Sequence, residues 1–516
     1  MSRLESVALF LRSPAKNYDQ EELEMNRILL IAAATSSQTK EVSQAFLREY
    51  YMPLALLYLS GSLAPHFEVH ILDLNTLELW DLAPEEAKKV IETELLKKID
   101  QTQPFLVGIN CLFSGQISQV VHLANIVKRY NPGINVATGG IHPTIFSEDL
   151  LAGCPSLDFV LQGEGEENTL QLALALQRGQ SLRQIDGLTY RDKSDRIINQ
   201  PKTAFIQDVD SIPRPAYHLF DFEKYAIDTS KWHNPKQQRI GVPIPLITSR
   251  SCPQRCNFCV MYRVMGPRFR SRSAGHVLDE MEFLYKEYNT RYFEILDDNF
   301  TLNKRRTLDI CRGIIDRKMD IQFRTVNGLS VNSLDDESVD ALAEAGLVWA
   351  PIAIESGSDH IRNQVMGKHL DLKKIFEVTK AFSRHPQIIL TSFFIIGMPE
   401  DTPETLMETY NLMLELEVDD CSVANAVPFP GTALHAQCSR ESLFVKEPGG
   451  WADESLFATN KGDGFFIKPK AMSIEELIMY RGMFDDLRLK KMSSKYKGIS
   501  RTAWEAQKND NSHKPL

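Results

Sequence analysis

The sequence has no long apolar run, and this absence excludes a chain that crosses a bilayer as a helix. None of its 516 residues lies in a stretch close to the ~20 apolar residues that a transmembrane helix needs. The apolar run within residues 1–12 is too short for a secretory signal, and an acidic patch at 19–24 follows it without a cleavage-like site. We therefore expect a cytoplasmic protein with no membrane span.

Basic residues are in the minority. The chain has 58 Lys and Arg against 68 Asp and Glu, a formal net charge of −10, which argues against wholesale nucleic-acid binding but leaves room for a local basic groove. It is 43% hydrophobic and 24% charged, as globular proteins are, so a disordered or fibrous chain is excluded. We find no internal repeat and no long low-complexity tract, and we expect no nucleic-acid partner.

Cysteine is also scarce, with eight residues in the chain. Five are scattered, at positions 111, 154, 311, 421 and 438, and are most simply interpreted as small buried apolar side chains. The other three, Cys252, Cys256 and Cys259, fall within eight residues. In a large cytosolic chain such a cluster indicates a metal site rather than disulfides.

Residues 27–186 alternate short apolar strands with helical patterns. Apolar strands of this kind, separated by helices, predict a Rossmann-like, doubly wound parallel sheet whose ligands bind at the carboxyl ends of the strands. We interpret residues 1–26 as an N-terminal arm and the proline-rich residues 187–245 as a linker of short extended pieces and turns. The pattern places strands at 27–34, 68–73, 106–111, 135–140 and 158–162, and helices at 54–63 and about 118–130.

A second alternating block covers residues 246–432. It contains six strand–helix-like units, two short of a closed eight-fold barrel, so we expect a partial (β/α)6 barrel with its chemistry at the strand carboxyl ends. The C-terminal extension, 433–516, is expected to be mostly helical, with a capping box at Ser473 and Glu476 that predicts a helix start and disorder over 508–516. The expected strands are 246–250, 292–297, 321–326, 349–355, 388–396 and 421–427; the expected helices are 273–288, 303–318, 335–345, 371–384 and 403–417.

The strongest single signal is the three-cysteine loop, residues 249–259, which follows the first strand of the second block. Thiolates are soft ligands that suit zinc or iron–sulfur clusters. Three cysteines at this spacing can wrap one face of a 4Fe–4S cube, which normally takes four, and leave one iron open for a substrate or second cofactor. Zinc is an alternative, although structural zinc usually shows paired Cys-x2–4-Cys units and no second pair exists here. A chance cluster is the third possibility.

The Cys-x3-Cys-x2-Cys spacing, with Phe258 before its last cysteine and a (β/α)6-like block around it, resembles the radical S-adenosylmethionine superfamily. The resemblance implies a 4Fe–4S cluster on Cys252, Cys256 and Cys259 whose open iron chelates S-adenosylmethionine. It also implies reductive cleavage to a 5′-deoxyadenosyl radical, which abstracts hydrogen from an unactivated position of a small-molecule substrate. An external donor of the flavodoxin or ferredoxin type would supply the electron.

Polar residues at successive strand ends fit the same resemblance. The segment after the second strand would meet the methionine amino group, Arg324 would pair with the carboxylate through its guanidinium fork, and Glu355 and Ser356 would lie near the ribose. A carboxylate at a strand end is more often a helix N-cap, so the joint placement carries more weight than any one residue. The residues expected at S-adenosylmethionine are Phe258, Asp297, Asp298, Asn299, Arg324, Glu355, Ser356 and Gly397.

Glycines are concentrated in the loops after the third to fifth strands of the first block, residues 111–115, 138–144 and 162–166. Adjacent glycines allow positive φ and let the backbone approach a large ligand. Ordinary turn glycines and helix capping are the alternative for any one loop. A dinucleotide site is not indicated, because no Gly-x-Gly-x-x-Gly follows the first strand, and no P-loop is present.

The order of these features over residues 27–430 resembles the cobalamin-binding class of radical S-adenosylmethionine enzymes. It comprises a doubly wound domain, Gly-Gly-x-His-Pro-Thr, Gly-Glu-Gly-Glu, a linker and the three-cysteine loop. The resemblance implies cobalamin at the strand ends of the first domain, bound without a lower histidine ligand, since no Asp-x-His-x-x-Gly is present. The implied contacts are Ser114, Gly139, Gly140, His142, Pro143, Thr144, Gly163, Glu164 and Gly165.

Membership of that class favours a methyltransferase in which methylcobalamin delivers a methyl group to a carbon (or phosphorus) that the radical has activated. The alternatives are a cyclase or rearrangement enzyme without methyl transfer, a tRNA methylthiotransferase, and a non-catalytic cobalamin or redox sensor. The methylthiotransferase fits poorly, because the first domain has only Cys111 and Cys154 for a second cluster. The motifs identify no catalytic residue for the substrate.

The substrate is expected to enter between the two blocks, covered by the C-terminal extension. The aromatic stretch 451–466, with Trp451, Phe457, Phe465 and Phe466, is a candidate lid or pocket wall. Ordinary packing of this stretch on the barrel is at least as good an interpretation.

Overall fold

The computed structural model describes residues 26–34, 52–79, 82–226, 232–447, 449–454 and 464–492. The predicted N-terminal arm, apart from Asn26, and the predicted disordered end at 508–516 lie outside these residues. No helix in the described ranges is long and apolar enough to cross a membrane. Two sheets dominate the structure, one in each predicted block.

The first sheet has seven strands in the order β2-β1-β3-β4-β5-β6-β7. Its first five strands pair in parallel, which confirms the doubly wound parallel sheet. Five of the six residues of β1 are buried because helices cover both faces. The strands are β1 (Arg27–Ala32), β2 (Glu68–Asp73), β3 (Leu106–Asn110), β4 (Asn135–Gly139), β5 (Phe159–Leu161), β6 (Leu188–Arg191) and β7 (Ile197–Gln200); the helices are α1 (Leu54–Leu63), α2 (Pro84–Thr102), α3 (Ile117–Tyr130), α4 (Ile141–Ile145), α5 (Ser147–Gly153) and α6 (Gly165–Gln177).

The prediction of a linker over 187–245 is wrong for its first part. Strands β6 and β7 form an antiparallel hairpin that extends the first sheet beyond β5. The polar residues between them, which suggested a linker, form the turn of this hairpin: Asp195 adopts φ 60° and donates its N–H to the Asp192 carbonyl at 2.9 Å. Leu188 and Tyr190 are buried, so the hairpin contributes to the core of the first domain.

The second sheet has six strands, all parallel, in the order β15-β14-β13-β12-β11-β8. Within the described ranges its edge strands, β8 and β15, do not pair with each other, so the sheet is the predicted partial barrel. A short antiparallel pair, β9 and β10, encloses the three-cysteine loop. The strands are β8 (Ile244–Leu246), β9 (Ser249–Arg250), β10 (Arg270–Ser271), β11 (Tyr292–Ile295), β12 (Gln322–Thr325), β13 (Leu347–Glu355), β14 (Ile389–Ile396) and β15 (Asp420–Asn425).

Helices follow the barrel strands at the predicted places. The capping box is present as expected: the Ser473 hydroxyl accepts from the Glu476 N–H at 3.2 Å, and the Glu476 carboxylate accepts from the Ser473 N–H at 2.8 Å. The helices are α7 (Met261–Val264), α8 (Ala274–Glu287), α9 (Lys304–Asp316), α10 (Asp336–Glu344), α11 (Leu372–Ser383), α12 (Pro403–Glu415), α13 (Ala433–Glu441) and α14 (Ile474–Lys491), with a π-helical turn at His360–Val365.

One apolar core joins the two sheets. It contains residues of the first domain, such as Leu30 and Leu172, and residues of the barrel, such as Phe293 and Phe394. Because a continuous core cannot shear without exposing apolar area, the strand ends of the two sheets hold a fixed relation to each other.

Candidate functional site

The three-cysteine loop lies at the carboxyl ends of the barrel strands and is fixed on three sides. The Ser251 N–H donates to Asp298 at 3.0 Å, on the loop after β11. The Asn257 N–H donates to the Met366 carbonyl at 3.1 Å, and the Asn257 carbonyl accepts from Leu434 N–H at 2.9 Å. The loop therefore has a defined position although it contains almost no regular structure.

The thiols of this loop fit a cluster with separate ligand positions. Cys256 is buried, and Cys252 and Cys259 are half-buried. Burial raises the pKa of the Cys256 thiol to about 12, although the positive charge of Lys368 lowers it. The thiol is therefore protonated in the free protein, and metal binding must displace its proton. No three His, Cys, Asp or Glu side chains in the described ranges are close enough to hold a single ion. A cubane takes each thiolate at a different iron, so the three thiolates of this short loop could each hold a separate iron.

Asn299, one of the residues predicted at S-adenosylmethionine, lies beside this loop. Its Nδ2 lies 3.8 Å from the Cys252 Sγ. Its Oδ1 is buried and has no hydrogen-bond partner in the described part of the chain. A buried amide oxygen without a partner costs free energy, so this atom marks a position where a bound group would find an acceptor.

The two aspartates beside Asn299 serve other purposes. Both carboxylate oxygens of Asp297 accept hydrogen bonds at 2.5–2.6 Å, from the N–H and hydroxyl of Thr248 and the hydroxyl of Ser249. The carboxylate joins β11 to the loop after β8, and its contact with the methionine amino group stays a prediction. Asp298 accepts a hydrogen bond from the Ser251 N–H. Burial, together with the negative charge of Asp297, raises the pKa of Asp298 to about 6.

Lys368 is a site residue that sequence reasoning missed. Its ammonium donates to Glu355 at 2.9 Å, and both side chains are about nine-tenths buried. Cys252 and Cys256 are near enough to raise the pKa of Lys368, although Glu355 contributes more. Glu355 ends β13 with φ 73°, a left-handed conformation that a non-glycine residue adopts at a cost of about 1 kcal/mol or more. The ion pair therefore places a strained, buried charge pair beside the cluster loop.

Arg324, predicted to pair with the carboxylate of S-adenosylmethionine, pairs with a glutamate of the neighbouring strand. It lies directly opposite Glu294 in the register of β11 and β12, and its Nε donates to Glu294 at 2.6 Å. Its guanidinium also lies 4.0 Å from the Trp232 ring centroid and 5.6 Å from that of Trp349. The cross-strand pairing gives this half-buried arginine an adjacent opposite charge, and its contact with S-adenosylmethionine stays a prediction.

Ser356 and Gly397, also predicted at S-adenosylmethionine, are engaged by neighbouring chain. The Ser356 hydroxyl lies 3.1 Å from the Thr409 hydroxyl on α12, which turns its side chain away from the strand ends. Gly397 adopts φ +84°, and a Cβ there would come within 3.2 Å of the Phe465 ring. The C-terminal extension thus covers the end of β14, and only the backbone of Gly397 is available to a ligand.

In the first domain, Ser114 and His142 meet at the carboxyl ends of β3 and β4. The Ser114 hydroxyl lies 2.7 Å from His142 Nδ1. His142 is 2% exposed, and its Nε2 makes no hydrogen bond of acceptable geometry in the described ranges, although the Trp451 backbone is near. Burial lowers the pKa of His142 to about 4. The imidazole is therefore neutral at pH 7, with a nitrogen available to a polar group of a bound ligand.

Glycines of this domain allow close approaches between segments of the chain. A Cβ at Gly140, which adopts φ +127°, would lie 2.2 Å from the Cys111 carbonyl oxygen. At Gly163, with φ +69°, it would lie 2.8 Å from the Lys202 side chain. Thr144 joins these two loops, because its hydroxyl donates to the Gly140 carbonyl and accepts from Gly163 N–H at 2.9 Å. The predicted loops thus form one connected edge next to Pro143 and Gly165.

Glu164 belongs to an ion-pair network that joins the two domains. Its carboxylate accepts from Arg250 at 3.0 Å, from Arg270 at 2.7 Å and from Ile206 N–H at 2.8 Å. Glu166 pairs with the same Arg250. All four charged side chains are less than 10% exposed. Both oxygens of Glu164 are thus bonded within the chain, and its contact with cobalamin stays a prediction. Arg250 and Arg270 are residues that sequence reasoning missed.

The aromatic stretch 451–466 touches both domains. The Trp451 ring lies against Gly153 of α5, and the neighbouring Glu454 accepts from the Ser118 N–H at 2.9 Å. Phe465 packs on Gly397 of the barrel, and Phe466 is buried nearby. Phe457 lies outside the described residues. The described ends of this stretch therefore reach the strand ends of both sheets.

Two family models match the chain. Residues 46–173 match the B12 binding domain, and residues 246–413 match the radical SAM superfamily. The matches follow the order of the two sheets. The first spans β2 to β5 and the second spans β9 to β14, while β1, β6, β7 and β15 lie outside them.

Relatives and solved structures give the same picture. The chain is 32% identical to the uncharacterized methyltransferase PH0819 of Pyrococcus horikoshii over 82% of this chain and 85% of that protein. It is 27% identical to the cytidylyl-2-hydroxyethylphosphonate methyltransferase of Streptomyces wedmorensis, over 84% and 85% respectively. Its fold resembles that of the radical S-adenosylmethionine methyltransferase TsrM from Kitasatospora setae, solved with cobalamin and a 4Fe–4S cluster, with a TM-score of 0.65, 17% identity and coverage of 93% of this chain and 89% of that chain.

Proposed function

This chain belongs to the cobalamin-binding radical S-adenosylmethionine enzymes, and we propose that it transfers a methyl group to an unactivated carbon, or to phosphorus, of a small-molecule metabolite. Its cofactors are a 4Fe–4S cluster, S-adenosylmethionine and cobalamin. When bound, they supply a 5′-deoxyadenosyl radical and a transferable methyl group. The substrate class is our inference from the methyltransferases among its relatives.

The observation that carries the proposal is the contact between the two predicted cofactor loops. Arg250 precedes the three-cysteine loop, and Glu164 lies in the Gly-Glu-Gly-Glu loop of the first domain; they form a buried ion pair at 3.0 Å. Methyl transfer to a radical requires that the site of hydrogen abstraction and the methyl donor face one substrate. Loops joined by a buried pair hold the two sites at a fixed separation, as such a reaction needs.

Residues around the cluster loop have distinct parts in this proposal. Cys252, Cys256 and Cys259 would hold the cluster, and Asn299, beside Cys252, would orient it or its ligand. The buried Lys368 ammonium, which pairs with Glu355 and lies near Cys252 and Cys256, would be the cation for the carboxylate of S-adenosylmethionine. Glu355 would then hold the ammonium in position when no ligand is bound.

The C-terminal extension would exclude water from the reacting centre. Trp451 at the first domain and Phe465 at the barrel place apolar side chains at the strand ends of both sheets. A radical is quenched by solvent and oxygen, so a covered site is a requirement of the chemistry. An external electron-carrier protein of the flavodoxin or ferredoxin type would start the reaction.

The test is an anaerobic assay of the reconstituted enzyme. The wild-type chain is loaded with iron and sulfide, supplied with cobalamin, S-adenosylmethionine, a reductant and a producer-cell extract, and its adenosyl products are quantified by mass spectrometry. We expect substrate-dependent formation of both 5′-deoxyadenosine and S-adenosylhomocysteine, with a product one methyl group heavier. Formation of 5′-deoxyadenosine without S-adenosylhomocysteine would replace methyl transfer with cyclisation or rearrangement.

A matched pair of variants controls the assignment of the cluster. The triple variant Cys252→Ala/Cys256→Ala/Cys259→Ala should lose the broad cluster absorbance and both products. Cys421→Ala, a buried cysteine on β15, should keep the absorbance. Retained absorbance in the triple variant would overturn the cluster site, independently of the substrate.

A further inference from the structure

Three segments that surround the three-cysteine loop carry no carboxylates of their own. Residues 251–278, 360–370 and 421–440 include no Asp or Glu, although 68 of the 516 residues of the chain are acidic. The three segments come together in space, because Asn257 donates to Met366 and accepts from Leu434. We call the surface that they form the cluster face. The carboxylates nearest the loop, Asp298 and Glu355, come from other segments: Asp298 accepts from the Ser251 N–H, and Glu355 is buried and paired with Lys368.

Three exposed arginines, Arg255, Arg263 and Arg268, lie on the cluster face. The Arg255 guanidinium lies 5.3 Å from the Tyr262 ring centroid, and Arg263 donates to the Gly431 carbonyl at 3.3 Å. The hydroxyl of Tyr262 lies 3.5 Å from the same carbonyl, so Arg255 and Arg263 belong to one patch.

These arginines keep their positive charge on the surface. In the described ranges, no carboxylate lies within ion-pair distance of Arg255, Arg263 or Arg268. The buried arginines of the same segment differ, since Arg270 pairs with Glu164 and Arg272 with Glu280. The fold therefore pairs the buried guanidiniums with carboxylates and leaves the three exposed guanidiniums without a counter-charge.

We infer that the cluster face is the docking surface for an acidic one-electron carrier protein. The inference rests on the proposed function, which needs one electron delivered to the cluster from outside. The net charge of −10 repels an acidic partner elsewhere, while a positive face attracts it and sets its orientation. The carrier loses one electron, which passes to the cluster, and no bond forms or breaks.

The position of Arg255 supports a carrier over another anionic partner. Arg255 lies between Cys252 and Cys256 in the sequence, so a protein that contacts its guanidinium lies next to the loop that holds the cluster. Nucleic acid bound with useful affinity needs many phosphate contacts, and the cluster face offers three exposed arginines in a chain of net negative charge. Electron delivery requires only proximity and orientation.

The experiment compares two reductants on a charge-reversal variant, Arg255→Glu/Arg263→Glu/Arg268→Glu. A reduced acidic flavodoxin and reduced methyl viologen, a small cation, are each used to drive 5′-deoxyadenosine formation anaerobically at about 20 mM ionic strength. The matched control, Arg178→Glu/Arg183→Glu/Lys193→Glu, reverses three exposed charges of the first domain and changes the net charge equally. We expect the flavodoxin-driven rate of the first variant to fall by about tenfold or more, with its viologen-driven rate within about twofold of wild type and both rates of the control unchanged.

Other outcomes are equally informative. A flavodoxin-driven rate that matches wild type would overturn the docking surface, and it is also the result expected if the face binds RNA instead. Equal losses in the two triple variants would reduce the effect to net charge and refute a localised surface. If cluster absorbance is lost in the charge-reversal variant, the corresponding Arg→Gln variants and the salt dependence of the wild-type rate provide the same test. No product from wild type with viologen would instead refute the proposed function.

Discussion

The buried ion pairs between the domains allow a quantitative prediction for Glu164→Gln. The substitution keeps the shape of the side chain and its hydrogen bond from Ile206, but it removes the charge that faces Arg250 and Arg270. Arg250 retains Glu166, whereas Arg270 keeps only carbonyl partners. Removing one partner of a buried pair costs about 3–5 kcal/mol, and the remaining pair places Glu164→Gln near the lower limit, about 3 kcal/mol.

The assay is urea unfolding followed by tryptophan fluorescence, with Glu92→Gln as the control. Glu92 pairs with Arg129 at 3.1 Å on the surface, where the side chains are 40% and 65% exposed, so its loss should cost less than about 1 kcal/mol. The deficit of Glu164→Gln should persist in high salt, because buried pairs are weakly screened. A deficit equal to that of Glu92→Gln, or one that vanishes in salt, would refute a buried network.

Three further predictions concern single positions. Burial raises the pKa of Asp401 to about 6, so the folded state binds this proton more tightly than the unfolded state and loses stability as the pH rises toward 6. Wild type should gain about 2 kcal/mol over Asp401→Asn as the pH falls from about 6 to 4 in pH-dependent unfolding. A constant difference would contradict the shift. Gly140→Ala should lower the free energy of unfolding by about 3 kcal/mol or more, as measured by urea unfolding, because its Cβ would meet the Cys111 carbonyl. Gly179→Ala, where a Cβ would have nothing within 4 Å, should cost about 1 kcal/mol. Equal costs for the two variants would exclude the close contact at Gly140. Phe465→Ala, which removes an 8% exposed ring from Gly397, should lower stability by about 3 kcal/mol, and an unchanged urea midpoint would show that the ring is not packed.

Local pattern was sufficient to predict most of the fold. Apolar strands with helices between them predicted both parallel sheets, and Ser473 with Glu476 predicted the start of α14 because a capping box is a purely local interaction. The β6–β7 hairpin was missed for the opposite reason. Its strands are short, and their membership of the first sheet depends on pairing with β5, which no local signal contains.

The candidate site residues divide in the same way, into those that a local pattern identifies and those that depend on contacts between distant parts of the chain. The cysteine spacing is local and can be recognised from sequence, although the cluster that it would hold stays a prediction. Arg324, Asp297 and Glu164 were assigned to cofactors because of their charge and position, but each finds a protein partner in the fold. The register of the strands and the contact between the two domains decide which charged side chains lie next to each other. Lys368 had no sequence signal, because its partner Glu355 and the thiols approach it only in space.

The continuous core and the Glu164–Arg250 pair have a consequence for how such enzymes diversify. A barrel cut away at residue 245 would expose apolar area and leave Arg250 and Arg270 buried or half-buried without their carboxylates. The first domain therefore cannot be exchanged for that of a relative as an independent module. A functional chimera must bring glutamates matching positions 164 and 166 with the incoming domain, so the two halves of the chain are expected to evolve as one inherited unit.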